Sequence, residues 1–349
     1  MAELLGMGLS HAPMFQFPDE NMADILRRFL KSPRLPEDLR EVRHWPEPMQ
    51  VEWGDDEGLS SARRHRELIV AGFRRLRAAL DAFRPDFVLI WGDDQYENFR
   101  EDIVPPFCIY VYDQLECFPF RGSAVISTPV NVWGQPEDKP LLVRGHRQAA
   151  HHLVRELTVN HFDVCYAYKA HHHPGLAHSF MRTLMYLDYD QRGFDYPIIP
   201  FHVNCYGSDL IARRAATNFA DGEAAPPAPS PARCFDLGWE VARILQASPW
   251  RAVVIGSSSW SHAFLTRKHH GLYPDVISDR ERLGELESGR HEKWRNLNLD
   301  TLTDAGQHEL LNWICLAGAM GGQRAEVVAY AETYLFNSTK VCALFHPES

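Results

Sequence analysis

Short apolar segments of strand length alternate with longer amphipathic segments along most of this chain. Residues 87–91 and 252–255 are continuous apolar runs, which are typical of strands buried on both faces of a sheet. Residues 60–83 repeat apolar side chains at three- and four-residue spacing, which predicts an amphipathic helix that Pro85 ends. This alternation predicts an α/β protein with a mixed central sheet flanked by helices.

The same patterns place the remaining elements. Further strands are predicted near residues 3–9, 107–111, 162–167 and 196–204, and further helices near residues 179–187 and 233–247. Residues 139–157 are predicted to be mostly helical, and so is the chain beyond about residue 278. Residues 220–232 are rich in Ala, Pro and Gly and predict a surface loop.

Composition excludes several classes of protein. The 349 residues carry a net charge of −10, which argues against nucleic acid as the main partner. The apolar runs are far shorter than the roughly 18 residues of a membrane-spanning helix. Residues 1–12 have an acidic residue and interrupting glycines where an export signal needs basic and apolar ones, so we expect a cytoplasmic location.

Cysteine spacing points the same way. The chain has 7 cysteines, an odd number, and no pair has the C-x-x-C spacing. Free thiols in a reducing compartment are therefore favoured over a disulfide scaffold or a structural zinc site.

Polar side chains follow the predicted strands. His11 follows the first strand, the run Asp93 to Glu97 follows the second, and residues 257–262 follow a later one; His202 lies within another. Because ligand sites gather at strand ends in α/β sheets, these clusters are the main functional signal. Each also has a plain structural interpretation: Asp93 and Asp94 as turn caps, His202 as a hydrogen-bonded core histidine.

Other motifs carry less weight. Adjacent side chains point in different directions, so the run His171-His172-His173 favours a solvated turn over a metal site. His178 has helix-end packing as its structural interpretation, and Ser278 with Glu281 matches a capping box. We find no nucleotide-binding loop, no zinc-peptidase motif and no serine nucleophile elbow.

Taken together, ordered segments of the chain resemble the class III extradiol ring-cleaving dioxygenases, the family of the protocatechuate 4,5-dioxygenase β subunit and the gallate and 3-O-methylgallate dioxygenases. These segments span nearly the whole chain in family order; they are residues 8–13, 85–90, 197–204, 232–238, 261–262 and 306–314. The resemblance implies the family's fold and a single catalytic domain over residues 1–349.

The resemblance also implies a ferrous ion, held in this family by two histidines and one glutamate that leave positions open for a catecholate and O2. His11 matches the first histidine ligand. His178 and His202 match histidines beside the ion that act as acid/base groups, with His178 holding substrate or oxygen and His202 taking the phenolic proton.

Two ligand positions depart from the family pattern. Gln95 occupies the second histidine's place, and Asp279 or Glu281 must serve as the carboxylate. Asp94 or Glu97 could instead enter the metal site. We assign His11, Gln95 and Asp279 to the metal, and Asp94, Glu97 and His262 to the substrate.

The leading hypothesis is thus an iron-dependent dioxygenase that opens the ring of a catechol-like or gallate-like compound with O2. The resemblance further implies a homodimer, and no nucleic acid or membrane partner is expected. Two alternatives remain open: a hydrolase or lyase that uses another divalent metal on the same fold, and a non-catalytic accessory subunit of a dioxygenase complex.

Overall fold

The computed structural model describes residues 2–33, 35–121, 130–208 and 226–346. The strands are β1 (Leu4–Leu9), β2 (Phe87–Gly92), β3 (Phe107–Tyr110), β4 (Gln114–Cys117), β5 (Leu141–Arg144), β6 (Cys165–Ala167), β7 (Ile198–Val203), β8 (Ala252–Ser257), β9 (Ala325–Ala331) and β10 (Lys340–Phe345). The helices are α1 (Asp24–Leu30), α2 (Glu47–Trp53), α3 (Leu59–Phe83), α4 (Arg147–Val159), α5 (His178–Leu187), α6 (Pro231–Gln246), α7 (Val276–Glu287), α8 (Leu299–Asp304) and α9 (Leu310–Met320).

Eight of the strands form one mixed sheet in the order β6-β3-β7-β2-β8-β1-β10-β9, and β4 pairs with β5 in a separate sheet. The central strands β7, β2, β8 and β1 run parallel, whereas β3 and β10 run antiparallel to their inner neighbours. The parallel strands therefore place their carboxyl ends at one edge of the sheet, where ligand sites form in folds of this type.

Helices cover both faces of the sheet. α3 and α5 pack on one face around a core that includes Phe73 and Phe180, and α4, α6 and α9 pack on the other around Trp313 and Leu316. All six residues of β2 are buried, as are those of β7 and β8. Burial on both sides explains why these strands are continuous apolar runs in the sequence.

Two glycines allow α9 to lie directly on the sheet. A Cβ atom at Gly8 of β1 would overlap the Trp313 ring, and one at Gly256 of β8 would lie 3.1 Å from backbone atoms of α9. Trp313 Nε1 also donates a hydrogen bond to the Ser258 carbonyl oxygen at 2.9 Å. This packing holds Glu309, the residue before α9, at the sheet edge where β1 and β8 end.

The sheet flanked by helices confirms the predicted fold class, but three regions differ from the prediction. Residues 139–157 contain β5 before α4 begins, and the segment after residue 278 ends in β9 and β10 where helix was expected. All six residues of β10 are buried, and β10 pairs with β1. Its apolar run therefore belongs to the core of the sheet. Of the predicted loop near residues 220–232, residues 231 and 232 begin α6, residues 226–230 have no regular secondary structure, and residues 220–225 lie outside the described residues.

None of the helices within the described ranges combines the length and apolarity that crossing a bilayer requires.

Candidate metal centre

The carboxyl ends of three parallel strands bring the first polar side chains together. β1 and β8 pair Leu9 with Ser257, and β2 pairs Trp91 with Gly256, so all three strands end at the same level. His11 follows β1 by two residues and Asp93 follows β2 directly. α9 brings Glu309 to the same place from the opposite end of the sequence.

His11 is fixed as a neutral imidazole that directs one nitrogen into the cluster. Its Nδ1 lies 3.1 Å from the Ser257 carbonyl oxygen, which can only accept, so Nδ1 carries the proton. Burial, with the positive charges of His178 and Arg182 nearby, lowers the pKa of His11 well below its usual value. The free Nε2 lies 3.5 Å from Glu309 Oε2 and 3.8 Å from Asp93 Oδ1.

His262 approaches the same glutamate in the same manner. Its Nδ1 donates to the Trp260 carbonyl oxygen at 3.0 Å, and its Nε2 lies 3.5 Å from Glu309 Oε2. The other glutamate oxygen, Oε1, accepts hydrogen bonds from the Tyr206 hydroxyl and from Gln95 Nε2 at 3.1 Å. Oε2 itself is buried and has no hydrogen-bond donor within the described part of the chain.

A third histidine, His178, begins α5 and faces Asp93. Its Nδ1 lies 2.8 Å from Glu97 Oε2, and its Nε2 lies 3.8 Å from Asp93 Oδ2. Burial alone would lower the pKa of His178, but the charge of Glu97 and its hydrogen bond raise it. Burial would likewise raise the pKa of Glu97, but His178 lowers it to about 2. His178 and Glu97 therefore form an ion pair.

Asp93 resembles Glu309 because one oxygen of each carboxylate has no hydrogen-bond donor among the described residues. Burial and the nearby charge of Glu309 raise the pKa of Asp93 well above its usual value. Asn312 Nδ2 reaches Asp93 Oδ1 at 3.4 Å, whereas Asp93 Oδ2 has no hydrogen-bond partner among the described residues. Two buried carboxylates with unpartnered oxygens would be costly in an interior that offered them no cation.

The arrangement fits a divalent cation. Imidazole nitrogens whose other nitrogen is held by a carbonyl or carboxylate are the usual histidine ligands, and the unpartnered oxygens supply the negative charge. One ligand atom each from His11, Asp93 and His178 lies within 4.8 Å of the others. Nitrogen and carboxylate ligands together suit iron, zinc and similar ions.

The structure brings most of the predicted site residues to this cluster. His11, His178 and His262 contribute ring nitrogens, and Glu97 holds His178. Gln95 contacts Glu309 through its amide nitrogen, which is a donor and positions the carboxylate. Asp94 makes its hydrogen bonds within its own turn, where its carboxylate accepts from the backbone nitrogens of residues 97–99. Burial raises the pKa of Asp94 to about 7.

Two predicted residues have other surroundings. Asp279 Oδ1 accepts from the Ser261 backbone nitrogen at 3.0 Å and from Gln307 Nε2 at 2.7 Å, and both are neutral donors of the chain. His202 packs against the Phe99 ring at 4.5 Å, and burial lowers its pKa to about 3. His202 Nδ1 has no partner in the described ranges, and the ring lines a small cavity with Asp94 and Tyr206.

Asp93 and Glu309 were not assigned to the site from the sequence. Asp93 directly follows β2, and that position alone could have favoured it over its neighbours. Glu309 lies in the segment 306–314, which was noted for its family resemblance only. Glu309 is far from His11 and His262 in sequence, so its contact with them cannot be read from residue spacing. The packing of α9 on Gly8 and Gly256 brings Glu309 to the strand ends.

Comparisons with known proteins agree with this fold. Residues 220–341 match the family described as the catalytic LigB subunit of aromatic ring-opening dioxygenase. This match confirms the predicted resemblance to class III extradiol dioxygenases, and the matched segment includes β8, His262 and Glu309.

Curated relatives carry dioxygenase names. The 2,3-dihydroxyphenylpropionate/2,3-dihydroxicinnamic acid 1,2-dioxygenase of Comamonas testosteroni is 30% identical over 186 residues, 53% of this chain and 46% of the relative. A second such enzyme from Pseudomonas putida is 26% identical over 192 residues, 54% of this chain and 47% of the relative. The chain thus spans about half the length of the curated relatives that it matches.

The crystal structure of the uncharacterized protein JW3007 from Escherichia coli K12 shares the fold. Its TM-score is 0.50 at 13% identity, and the similarity covers 98% of this chain and 99% of that one. At this identity the likeness concerns the fold alone.

Proposed function

We propose that this protein is a metal-dependent dioxygenase that opens the ring of a catechol-like or gallate-like compound with O2. The observation that carries the proposal is Glu309 Oε2, a buried oxygen without a donor that lies 3.5 Å from the Nε2 atoms of both His11 and His262. Two histidines and one carboxylate are the ligand set of the non-haem iron oxygenases. The names of the relatives support the same reaction.

In this proposal His11, His262 and Glu309 hold the ion, with Asp93 beside them. Ferrous iron is the proposed ion, and when bound it supplies a centre at which a catecholate and O2 react. Tyr206 and Gln95 fix the orientation of Glu309 through its other oxygen. The carbonyl oxygens of Ser257 and Trp260 fix the tautomers of the two histidines.

His178 is the proposed acid/base group. Glu97 accepts a hydrogen bond from its Nδ1 and stabilises its protonated form, so a proton can reside on Nε2, the atom that faces the cluster. His202 remains a proposed acceptor for a phenolic hydroxyl. Its buried ring stays neutral, and its Nδ1 is free of hydrogen bonds within the described part of the chain.

A second arrangement of the ligands rests on a different observation. His11, His178 and Asp93 also form a group of two imidazoles and one carboxylate, with their ligand atoms within 4.8 Å. In that arrangement His178 binds the ion and does not transfer protons. Asp279, the carboxylate expected from the family pattern, would take part in neither arrangement, given its hydrogen bonds to Ser261 and Gln307.

The test combines metal analysis with turnover. Protein purified without air should contain about one iron per chain, consume O2 with a catechol substrate and form a yellow ring-opened product. His262→Ala should lose iron and turnover, whereas His178→Gln should keep iron and lose turnover. His151→Gln, an exposed histidine on α4, is the matched control.

Each alternative predicts another result. Loss of iron in His178→Gln but not in His262→Ala would favour the second arrangement. A different bound divalent metal without O2 uptake would support a hydrolase or lyase. Protein that binds no metal under any of these conditions would support an accessory subunit.

Three broader proposals accompany this function. We propose that residues 1–349 act as one catalytic domain, since β1 and β10 pair in the same sheet. The free cysteines, all but Cys165 of them buried, support a cytoplasmic location. The family resemblance supports a homodimer, which sedimentation equilibrium would test.

A further inference from the structure

We propose that Asp102, His171 and His172 form a second, surface site for a transition-metal ion. One ligand atom from each residue lies within 4.8 Å of the other two. His172 Nε2 lies 2.9 Å and 3.0 Å from the two oxygens of Asp102, so the imidazole and the carboxylate are already in contact. This site is separate from the central cluster and does not depend on the proposed function.

The geometry removes the sequence-based objection to this site. Adjacent histidines were expected to point apart, which favoured a solvated turn. In the structure the rings of His171 and His172 are stacked, with centroids 5.3 Å apart and planes inclined by 18°. The two rings therefore lie side by side, and one nitrogen of each is close enough to Asp102 for all three residues to reach one ion.

A buried asparagine holds the two segments of the site together. Asn98 Oδ1 accepts hydrogen bonds from the backbone nitrogens of His171 at 2.8 Å and His173 at 3.4 Å. Asn98 Nδ2 donates to the Gly175 carbonyl oxygen at 3.0 Å. The histidine turn is therefore attached to the segment that leads to Asp102 before any ion binds, which reduces the entropy lost on binding.

The ligand chemistry selects the ion. Two imidazole nitrogens and one carboxylate oxygen suit Zn²⁺, Ni²⁺ and Cu²⁺ better than Mg²⁺ or Ca²⁺, which prefer oxygen ligands. All three residues are exposed, so water can complete the coordination. Affinity should follow the general order for these ions, with Cu²⁺ above Zn²⁺ and Mn²⁺ weakest.

Calorimetric titration of Zn²⁺ into chelator-treated protein tests this site. Glu309→Gln serves as the parent chain because it weakens the central site, and His172→Ala and Asp102→Asn are then added singly. We expect each addition to remove one zinc equivalent or to weaken it by at least about tenfold. Both substitutions lie on the surface, so folding should be unaffected.

His346→Ala is the matched control, because His346 is an exposed histidine that contacts a single carboxylate, Glu326, at 2.9 Å. It should leave the titration unchanged. Identical zinc titrations for the parent, His172→Ala and Asp102→Asn would overturn the proposal. A failure of the central site to bind iron would not, since the stoichiometric loss on substitution at the surface is measured independently.

Discussion

Glu52 is half-buried and Glu309 is fully buried, and the two carboxylates differ in how many hydrogen-bond donors surround them. Glu52 accepts hydrogen bonds from the Thr333 hydroxyl and from the backbone nitrogens of Tyr334 and Leu335, and it faces the buried Lys340. Glu309 Oε2 has no donor among the described residues and faces only imidazole nitrogens. A carboxylate that stabilises the fold has its oxygens occupied, whereas one that serves a ligand keeps an oxygen available.

This difference predicts opposite responses to the same substitution. Glu309→Gln should weaken metal binding by more than about 100-fold, because changes even in outer-shell partners cost about 10- to 100-fold. The metal-free protein should gain about 1–3 kcal/mol in its free energy of unfolding, since an unpaired buried charge is removed. Anaerobic Fe(II) titration and urea unfolding measure the two effects. Unchanged metal affinity would contradict the assignment of Glu309.

Asp279 lies between these two cases, because its Oδ1 accepts two hydrogen bonds whereas its Oδ2 has no partner among the described residues. Burial raises its pKa to about 7, although Gln307 and the Ser261 backbone nitrogen donate hydrogen bonds to it. Because this folded-state pKa exceeds the unfolded value, the folded state binds more protons between about pH 4 and 7. The free energy of unfolding should therefore fall as the pH rises through that range.

Asp279→Asn should remove that pH dependence, which is on the order of a few kcal/mol, and leave metal binding intact. Denaturation midpoints at pH 5 and pH 7.5, with metal content measured alongside, provide the test. Loss of the metal in this variant would instead support the ligand role that the family pattern assigns to Asp279.

Glu52→Gln is the structural counterpart of the first substitution. It should lower the free energy of unfolding by about 1–3 kcal/mol, because three donors lose a charged acceptor and Lys340 loses its counter-charge. Iron content and turnover should stay as in the parent. Urea unfolding measures the loss, and a drop in iron content would show that the two regions are not independent.

The sequence predicted the frame of the molecule better than its site. The strands β2, β7 and β8 were predicted from continuous apolar runs, because strands buried on both faces consist of apolar residues. The helix α3 was predicted from the three- and four-residue spacing of its apolar residues. β9 was missed because most of its residues are only half-buried, at the margin of the sheet. Likewise β4 and β5 are short, and half of the residues in each are exposed.

The candidate site was predictable from the residues themselves where polar side chains follow a strand. His11, the acidic turn and His262 were proposed for that reason, and His178 was proposed through the family resemblance. Glu309 and the hydrogen bonds that fix each imidazole depend on contacts between distant segments. Side-chain direction at His171 and His172 likewise depends on the local turn, which residue spacing does not reveal.

The smallest expected effect concerns the hydroxyl that positions Glu309. Tyr206→Phe removes a donor from Glu309 Oε1 but leaves Gln95 Nε2 at 3.1 Å and the ring stacked 5.7 Å from His308. The fold should persist, and Fe(II) affinity should fall by about tenfold, or about 1.4 kcal/mol. Tyr330→Phe is the control, because that buried hydroxyl has no hydrogen-bond partner within the described ranges. Equal Fe(II) affinities for the two variants would mean that Gln95 alone holds the carboxylate, so Gln95→Leu would then be the substitution that weakens binding.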